Sequence, residues 1–442
     1  MATAPLLEID SQAENEPIVP PLPETLEDTG LAGSVIEQLV LKLLYTRGDL
    51  LGRDLSESLG LKFSLIESFI DFFKRQHFIQ AKKSLGMGDS TALFTLTETG
   101  RNAAREAMES NQYTGPAPVP LFQYNYIVRR QRRKDGWLTP EALAHAYRRM
   151  IMTPQILAQI GPAVSSGNSF LIYGQPGNGK TFLAEALGNV DDSHIYVPYA
   201  IESQGCVIQV FDPVYHQPVE DTQEISVLAL ERPHEHDRRW VKCRRPFIVT
   251  GGELTLEMLD LNYNSSSKVY DAPYQVKANN GIYLIDDFGR QRCTPAEVLN
   301  RWIVPMERRV DFLRFNTGGK MTVPFEAFLI FSTNLRPEQL GDEAFLRRIQ
   351  YKMLLRSPAD GEFADIFRGF CNSRELPFEE DSITRFIEKY YRATGKAFRR
   401  CHPRDVLSHV IDLIHFEKHP FCLTDDLLDR AFESCFLEET PE

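Results

Sequence analysis

The stretch Gly174-Gln175-Pro176-Gly177-Asn178-Gly179-Lys180-Thr181 follows the apolar run Ser169-Phe-Leu-Ile-Tyr173 and precedes Phe182-Leu-Ala-Glu-Ala-Leu-Gly188, whose spacing is helical. A strand ending at Tyr173 feeds a glycine-rich turn whose backbone N–H groups surround phosphate oxygens, and the following helix adds its positive end. Gly174, Gly177 and Gly179 supply the backbone freedom such a turn requires. Lys180 reaches outer phosphates as a point charge, and the Thr181 hydroxyl ligates a Mg2+ ion carried by the nucleotide. The pattern is a complete Walker A loop, with Gln175, Pro176 and Asn178 at the intervening positions.

Working outward, the chain of 442 residues has room for two or three domains, and 43% hydrophobic with 25% charged residues is the balance of a globular protein. Seven cysteines without a C-x-x-C pair predict reduced thiols and a cytoplasmic location. No apolar run reaches the length of a membrane span, and no basic start with an apolar core marks a secretion signal. The net charge of −12 argues against nucleic-acid attraction by the whole surface.

Residues 1–30 carry acids and prolines but no Lys or Arg, which predicts a disordered acidic tail. Between residues 31 and 110 three helical patterns, a possible hairpin over Ile79–Thr97 and a closing helix predict a winged-helix domain. Its third helix presents Glu67 and Asp71 beside Lys74 and Arg75, with Phe69, Phe72 and Phe73 as core and interface. That face lacks the basic character of a phosphate-binding helix and favours protein docking or a structural role over DNA. Lys82 and Lys83 remain the best DNA contacts there. Residues 111–137, with "TGPAPVP" and the basic run Arg129–Lys134, read as a linker. Thr139 and Pro140 then suit the cap and first residue of a helix.

The partner of the phosphate loop is Gly281-Ile-Tyr-Leu-Ile-Asp286-Asp287. A buried parallel strand over 282–285 delivers both acids to its carboxyl end, where ligands gather in such sheets. Asp286 then belongs to the Mg2+ shell, and Asp287 orients or deprotonates an attacking water.

With these residues in order, the region Leu138–Phe436 resembles an AAA+ ATPase module. "AFLIFSTN" (327–334) resembles the sensor 1 strand, placing Asn334 near the γ-phosphate. "EAFLRRIQYKM" (343–353) resembles the arginine-finger segment, with Arg348 the best match and Arg347 the second. "RRCHPRDVLSHVI" (399–411) resembles the sensor 2 region, with Arg404 as its nucleotide-facing arginine. The hairpin signal in "RRVDFLRFNTGGKMTVPFEAF" (308–328) resembles the pre-sensor-1 hairpin of MoxR-like proteins. The resemblance implies a P-loop αβα nucleotide domain (138–355) with a strand-rich insertion over about 192–250, an α-helical lid (356–442), ATP and Mg2+ as cofactors, and a finger acting in a neighbouring copy. A ring follows from that finger, a homohexamer that hydrolyses ATP to remodel a protein client. Two other readings stand beside it: a nucleic-acid-directed ATPase, and a slow ATP-dependent switch. The switch is motivated by Asp287, one methylene shorter than the Glu usual in that family, and catalytic geometry is sensitive to such a displacement. The basic stretch 238–246 is a candidate partner surface. His234-Glu-His236-Asp237 is a weak metal candidate, and Cys401, His402, His415, His419 and Cys422 read as core and surface.

Overall fold

The computed structural model describes residues 18–84, 88–134, 136–148, 150–219, 236–341 and 343–436. The first helix, α1 (Gly33–Arg47), buries Ile36, Leu39, Val40, Leu43 and Leu44 and ends at Gly48, whose φ is +83°. After β1 (Leu50–Leu51) come α2 (Gly52–Leu59) and α3 (Phe63–Arg75), then the antiparallel strands β2 (Ile79–Ser84) and β3 (Ala92–Leu96) and the helix α4 (Glu98–Ser110). β3 lies between β1 and β2. Thr97 caps α4 by accepting from the Gly100 amide at 3.1 Å. Gly100 is required there, because a Cβ would lie 1.9 Å from the Phe78 carbonyl oxygen.

The expected linker is part of the core instead. Val119–Pro120 form β4, paired parallel to a strand at Ile201 and Glu202, and Leu121–Arg130 form α5. Tyr124, Ile127 and Val128, spaced i, i+3 and i+4, give α5 a buried face. The proline-rich stretch before it is anchored by the Ala117 amide on the Leu59 carbonyl at 2.8 Å. The acidic tail is corrected in the same way over its described part, since Pro20 and Thr29 are buried and Asp237 donates its amide to the Pro20 carbonyl at 3.0 Å. Residues 1–17 of that expected tail lie outside the described residues.

Helices α6 (Pro140–Ala146) and α7 (Pro154–Ser166) lead into β5 (Phe170–Tyr173) and α8 (Lys180–Ala186). The next strands are β6 (His194–Pro198), β7 (Ala200–Ser203), β8 (Cys206–Gln209) and β9 (Trp240–Arg244), with β6 and β9 paired to each other. β10 (Phe247–Thr250) leaves it to pair with the main sheet, whereas β11 (Asn262–Asn264) and β12 (Val269–Asp271) join it in the order β11-β12-β8-β7-β4. After α9 (Tyr274–Lys277) come β13 (Ile282–Ile285), α10 (Pro295–Arg308), the hairpin β14 (Val310–Arg314) and β15 (Lys320–Pro324), β16 (Phe328–Thr333), α11 (Glu343–Leu346) and β17 (Tyr351–Leu354). The main sheet runs β10-β13-β16-β5-β17 with every pair parallel. The fold is α/β, as the alternation of apolar strands with helices predicts.

Four helices, α12 (Asp360–Ser373), α13 (Glu380–Ile387), α14 (His402–Glu417) and α15 (Asp425–Cys435), close around an aromatic core that includes Phe363, Phe367, Phe386, Tyr391 and Phe432.

Two buried charges join the parts. Arg239, 1% exposed, pairs with Asp237 at 2.8 Å and donates to the carbonyls of Thr29 and Pro118, tying the N-terminal segment to β4. Lys42, also 1% exposed, donates to Asn111 Oδ1 at 2.8 Å, and burial pushes its amine down from 10.5 to about 8.

Breaking the first pair leaves Asp237 buried and unpaired, so Arg239→Ala lowers unfolding free energy by about 3–5 kcal/mol. Arg53→Ala, whose contact with Asp54 is exposed, changes it by about 1 kcal/mol or less in the same denaturant titration. Lys42 gives a pH signature. Below pH 8 its amine is charged in both states and the burial cost is fully present; between about 8 and 10.5 the unfolded chain binds more proton, so stability from this group rises with pH. Lys42→Met therefore gains most over the wild type near neutral pH, and the gain shrinks as unfolding is measured at rising pH.

Candidate functional site

The parallel register sets the site. Thr333 pairs with Tyr173 and Phe331 with Ile285, so β5, β16 and β13 release Gly174, Asn334 and Asp286 at the same edge of the sheet. Gly174, at φ +145°, passes so close to the Leu355 carbonyl oxygen that a Cβ would sit 2.4 Å from it. Gly177 and Gly179, at φ +78° and +84°, hold backbone conformations that glycine adopts without penalty. Gln175 and Pro176 are exposed at the tip of the loop, and Asn178 is buried beneath it.

Lys180 is buried, and its ammonium donates to the carbonyls of Gly174 (3.0 Å) and Gln175 (3.1 Å) and to Asn334 Oδ1 (2.6 Å). Burial lowers its pKa, while the carboxylates of Asp287 and Asp286 favour the charged form. The other end of the Asn334 amide donates to Asp287 Oδ1 at 3.0 Å. One amide therefore joins cation and carboxylate. Thr181 Oγ1 donates to Asp286 Oδ2 at 2.8 Å. A hydroxyl and a carboxylate oxygen so close together are the hard donors a Mg2+ ion takes, so this pair fits the expected ion.

Arg347 and Arg348 are not brought to this site. Arg348 precedes β17 at the amino-terminal edge of the sheet, where its carbonyl accepts from Ser169 and its guanidinium pairs with Glu307 at 2.8 Å. Four strand residues put about 13 Å between that edge and the loop. Arg347 is exposed beside it.

Among the arginines of 399–411 the structure corrects the expectation. Arg404 lies in the first turn of α14, turned outward to Asp405 at 2.9 Å with its side chain 66% exposed. The segment before α14 crosses the loop instead, with the Cys401 amide donating to the Gly177 carbonyl at 2.9 Å. This brings in Arg399, which donates to Ser357 Oγ at 2.6 Å; Ser357 in turn lies 3.4 Å from the Asn178 amide. Arg399 also contributes a positive field at Lys180. The sequence signal was the arginine pair before Cys401, outweighed by the position of Arg404 after a proline. Gln291 was missed as well: its side chain caps the turn that carries Asp287.

The remaining candidates are absorbed by the fold. Lys82 pairs with Asp49 at 2.7 Å and Lys74 with Asp89; the Lys83 side chain lies outside the described residues. Arg133 and Arg245 share Asp191 at 2.8 and 3.0 Å, and Arg132 faces Glu326 at 3.7 Å. Burial raises the Asp191 carboxyl, but Ser193 and the two guanidinium groups outweigh it and hold it at about 2. Asp237 is taken by Arg239 and His236 lies against Tyr196, while His234 and Glu235 are outside the described residues. His402 meets the Tyr391 hydroxyl at 2.9 Å and burial pushes it down to about 4. Among the described residues no group of three or more His, Cys, Asp or Glu side chains is arranged to hold a metal ion, and no helix is long and apolar enough to cross a membrane.

The family model described as "Domain of unknown function (DUF8689)" matches residues 359–434. That span is the four-helix C-terminal part. No curated protein matches the chain. Among solved structures, NtrX from Brucella abortus is 12% identical with a TM-score of 0.40, covering 67% of this chain and 58% of its own. The chain thus spans little more than half the length of that protein. NtrX in complex with ATP aligns at 12% identity and a TM-score of 0.35, covering 76% and 67%. RuvB, the Holliday junction branch migration motor of Thermotoga maritima, aligns at 14% identity and a TM-score of 0.35, covering 69% and 72%.

The geometry separates Arg399 from Arg404. Arg399→Ala weakens Mg-ATP binding about tenfold, the size of one charge-assisted hydrogen bond. Arg404→Ala stays within about twofold of the wild type, both read by titration with a fluorescent ATP analogue.

Proposed function

We propose that the chain is an ATPase of the AAA+ class that binds Mg-ATP at Gly174–Thr181 and hydrolyses it to ADP and phosphate. The observation that carries this reading is the Asn334 amide, which accepts from Lys180 and donates to Asp287 beside the Thr181 and Asp286 pair. A positive charge for phosphate, a carboxylate for water and two hard oxygens for an ion stand within one hydrogen-bonded group, the set that phosphoryl transfer uses. In this reading the loop N–H groups and Lys180 hold the phosphates, and Thr181 and Asp286 hold Mg2+. The ion, when bound, neutralises phosphate charge. Asp287 orients the water or takes its proton, Asn334 positions it, and Arg399 reaches the loop from the helical lid.

The placement of Arg348 at the far edge of the sheet supports action on a neighbouring copy, with Arg347 as the second candidate, and so an assembly, a homohexameric ring in the reading taken here. Residues 31–110 are read as a winged helix that docks protein. Pairing of Lys74 and Lys82 with acids favours a protein client over nucleic acid.

The test is steady-state Mg-ATP hydrolysis against protein concentration. Specific activity rises with concentration and is lost in Lys180→Ala, and Arg348→Ala binds ATP normally yet turns over at least about a hundredfold more slowly. ATP binding without turnover at any concentration replaces this reading with a nucleotide switch. Wild-type turnover by Arg348→Ala removes the finger.

A further inference from the structure

We infer that Gln291 is a positioning residue that aims the short carboxylate of Asp287, an inference that rests on the ATPase reading. Asp287 stands at φ +47°, in the left-handed region that a non-glycine residue occupies only when its surroundings hold it. The holding groups are identifiable. Gln291 Nε2 donates to the carbonyls of Asp286 (2.8 Å), Asp287 (3.2 Å) and Gly251 (3.4 Å), and Gln291 Oε1 accepts from the Gly289 amide at 2.7 Å. One amide side chain therefore fastens both faces of the turn, and through Gly251 ties it to the end of β10. On the other side the Phe288 amide donates to the Ser332 carbonyl at 2.7 Å and Thr333 Oγ1 to the Phe288 carbonyl at 2.6 Å, fixing the turn to β16.

The left-handed turn has a purpose in the geometry of the site. A carboxylate on a single methylene has little reach, so its position is set by the backbone beneath it. Held as it is, Asp287 reaches the same Asn334 amide that touches Lys180. Released, the turn relaxes to an ordinary conformation and the carboxylate swings away, a displacement to which proton transfer and water orientation are sensitive. Gln291 touches backbone only among these partners, so its role is carried through Asp287.

The experiment compares the wild type, Lys180→Ala, Gln291→Ala, Asp287→Glu and the double variant Asp287→Glu/Gln291→Ala in full-length protein, reading kcat, Mg-ATP affinity and thermal midpoint. Gln291→Ala lowers kcat about ten- to a hundredfold, with affinity within about twofold and the midpoint nearly unchanged. In the Asp287→Glu background the longer side chain reaches the water without the held turn, so adding Gln291→Ala costs no more than about threefold. Unchanged kcat in Gln291→Ala overturns the inference and leaves the ATPase reading standing. So does a parallel fall of affinity and midpoint with kcat, which marks a structural role, or an undiminished penalty in the Asp287→Glu background. A wild type no more active than Lys180→Ala overturns the ATPase reading and this inference with it.

Discussion

The site depends on the in-register parallel pairing of β5, β16 and β13. Each is a short, almost wholly buried strand, and burial on both faces leaves little freedom in how they pair. With Thr333 opposite Tyr173 and Ile285 opposite Phe331, three segments far apart in sequence end side by side. A slip of one residue in β16 would turn Asn334 to the other face and separate Lys180 from Asp287. The close approach of Gly174 to the Leu355 carbonyl adds a second constraint, since the loop lies against the end of β17 only while that position lacks a Cβ.

Polar accounting explains the arrangement around Lys180. A buried ammonium needs acceptors, and it finds two loop carbonyls and one amide oxygen. The same carbonyls and amide orient the cation toward the acids. The C-terminal helical part joins this network through backbone and side chain together: the Cys401 amide on Gly177, and Arg399 through Ser357 to Asn178. Arg400 fixes the same segment to the Ile151 carbonyl and to Glu362. The C-terminal helical part is therefore bonded directly to the glycine-rich loop.

What could be read from the sequence was what is local. The glycines, Lys180 and Thr181 lie within eight residues, and the strand before Asp286 declares itself by its apolar run. The pairing of charges could not be read, because Arg133 and Asp191 are 58 residues apart and nothing in either neighbourhood marks the other. Basic runs accordingly looked like surface or partner contacts when burial had already paired them. The choice between Arg399 and Arg404 depended on where α14 begins, and helix ends are the least legible feature of a sequence. The α5 error was of another kind. Its apolar triad was present at helical spacing, but prolines before it and arginines after it dominated the local composition.

That helix changes how the parts are joined. Asn279 donates to the Tyr124 hydroxyl at 2.8 Å and to the Pro324 carbonyl at 3.0 Å, and Asn280 donates to the Val128 carbonyl at 2.9 Å. Both asparagines lie just before β13, separated from it by Gly281. The strand that ends at Asp286 and Asp287 thus begins in contact with α5 and with the end of the β14–β15 hairpin. α5 follows β4, which belongs to the second sheet, and residues of that sheet, Ala200, Val207 and Val269, complete the core of the N-terminal helices. In place of a flexible linker, a continuous run of packed elements connects the N-terminal part to the amino end of β13. β13 is fully buried, so the contacts at its start and the carboxylates just after its end are joined by one short packed strand. The C-terminal helices join the glycine-rich loop from the other side, through the Cys401 amide on the Gly177 carbonyl.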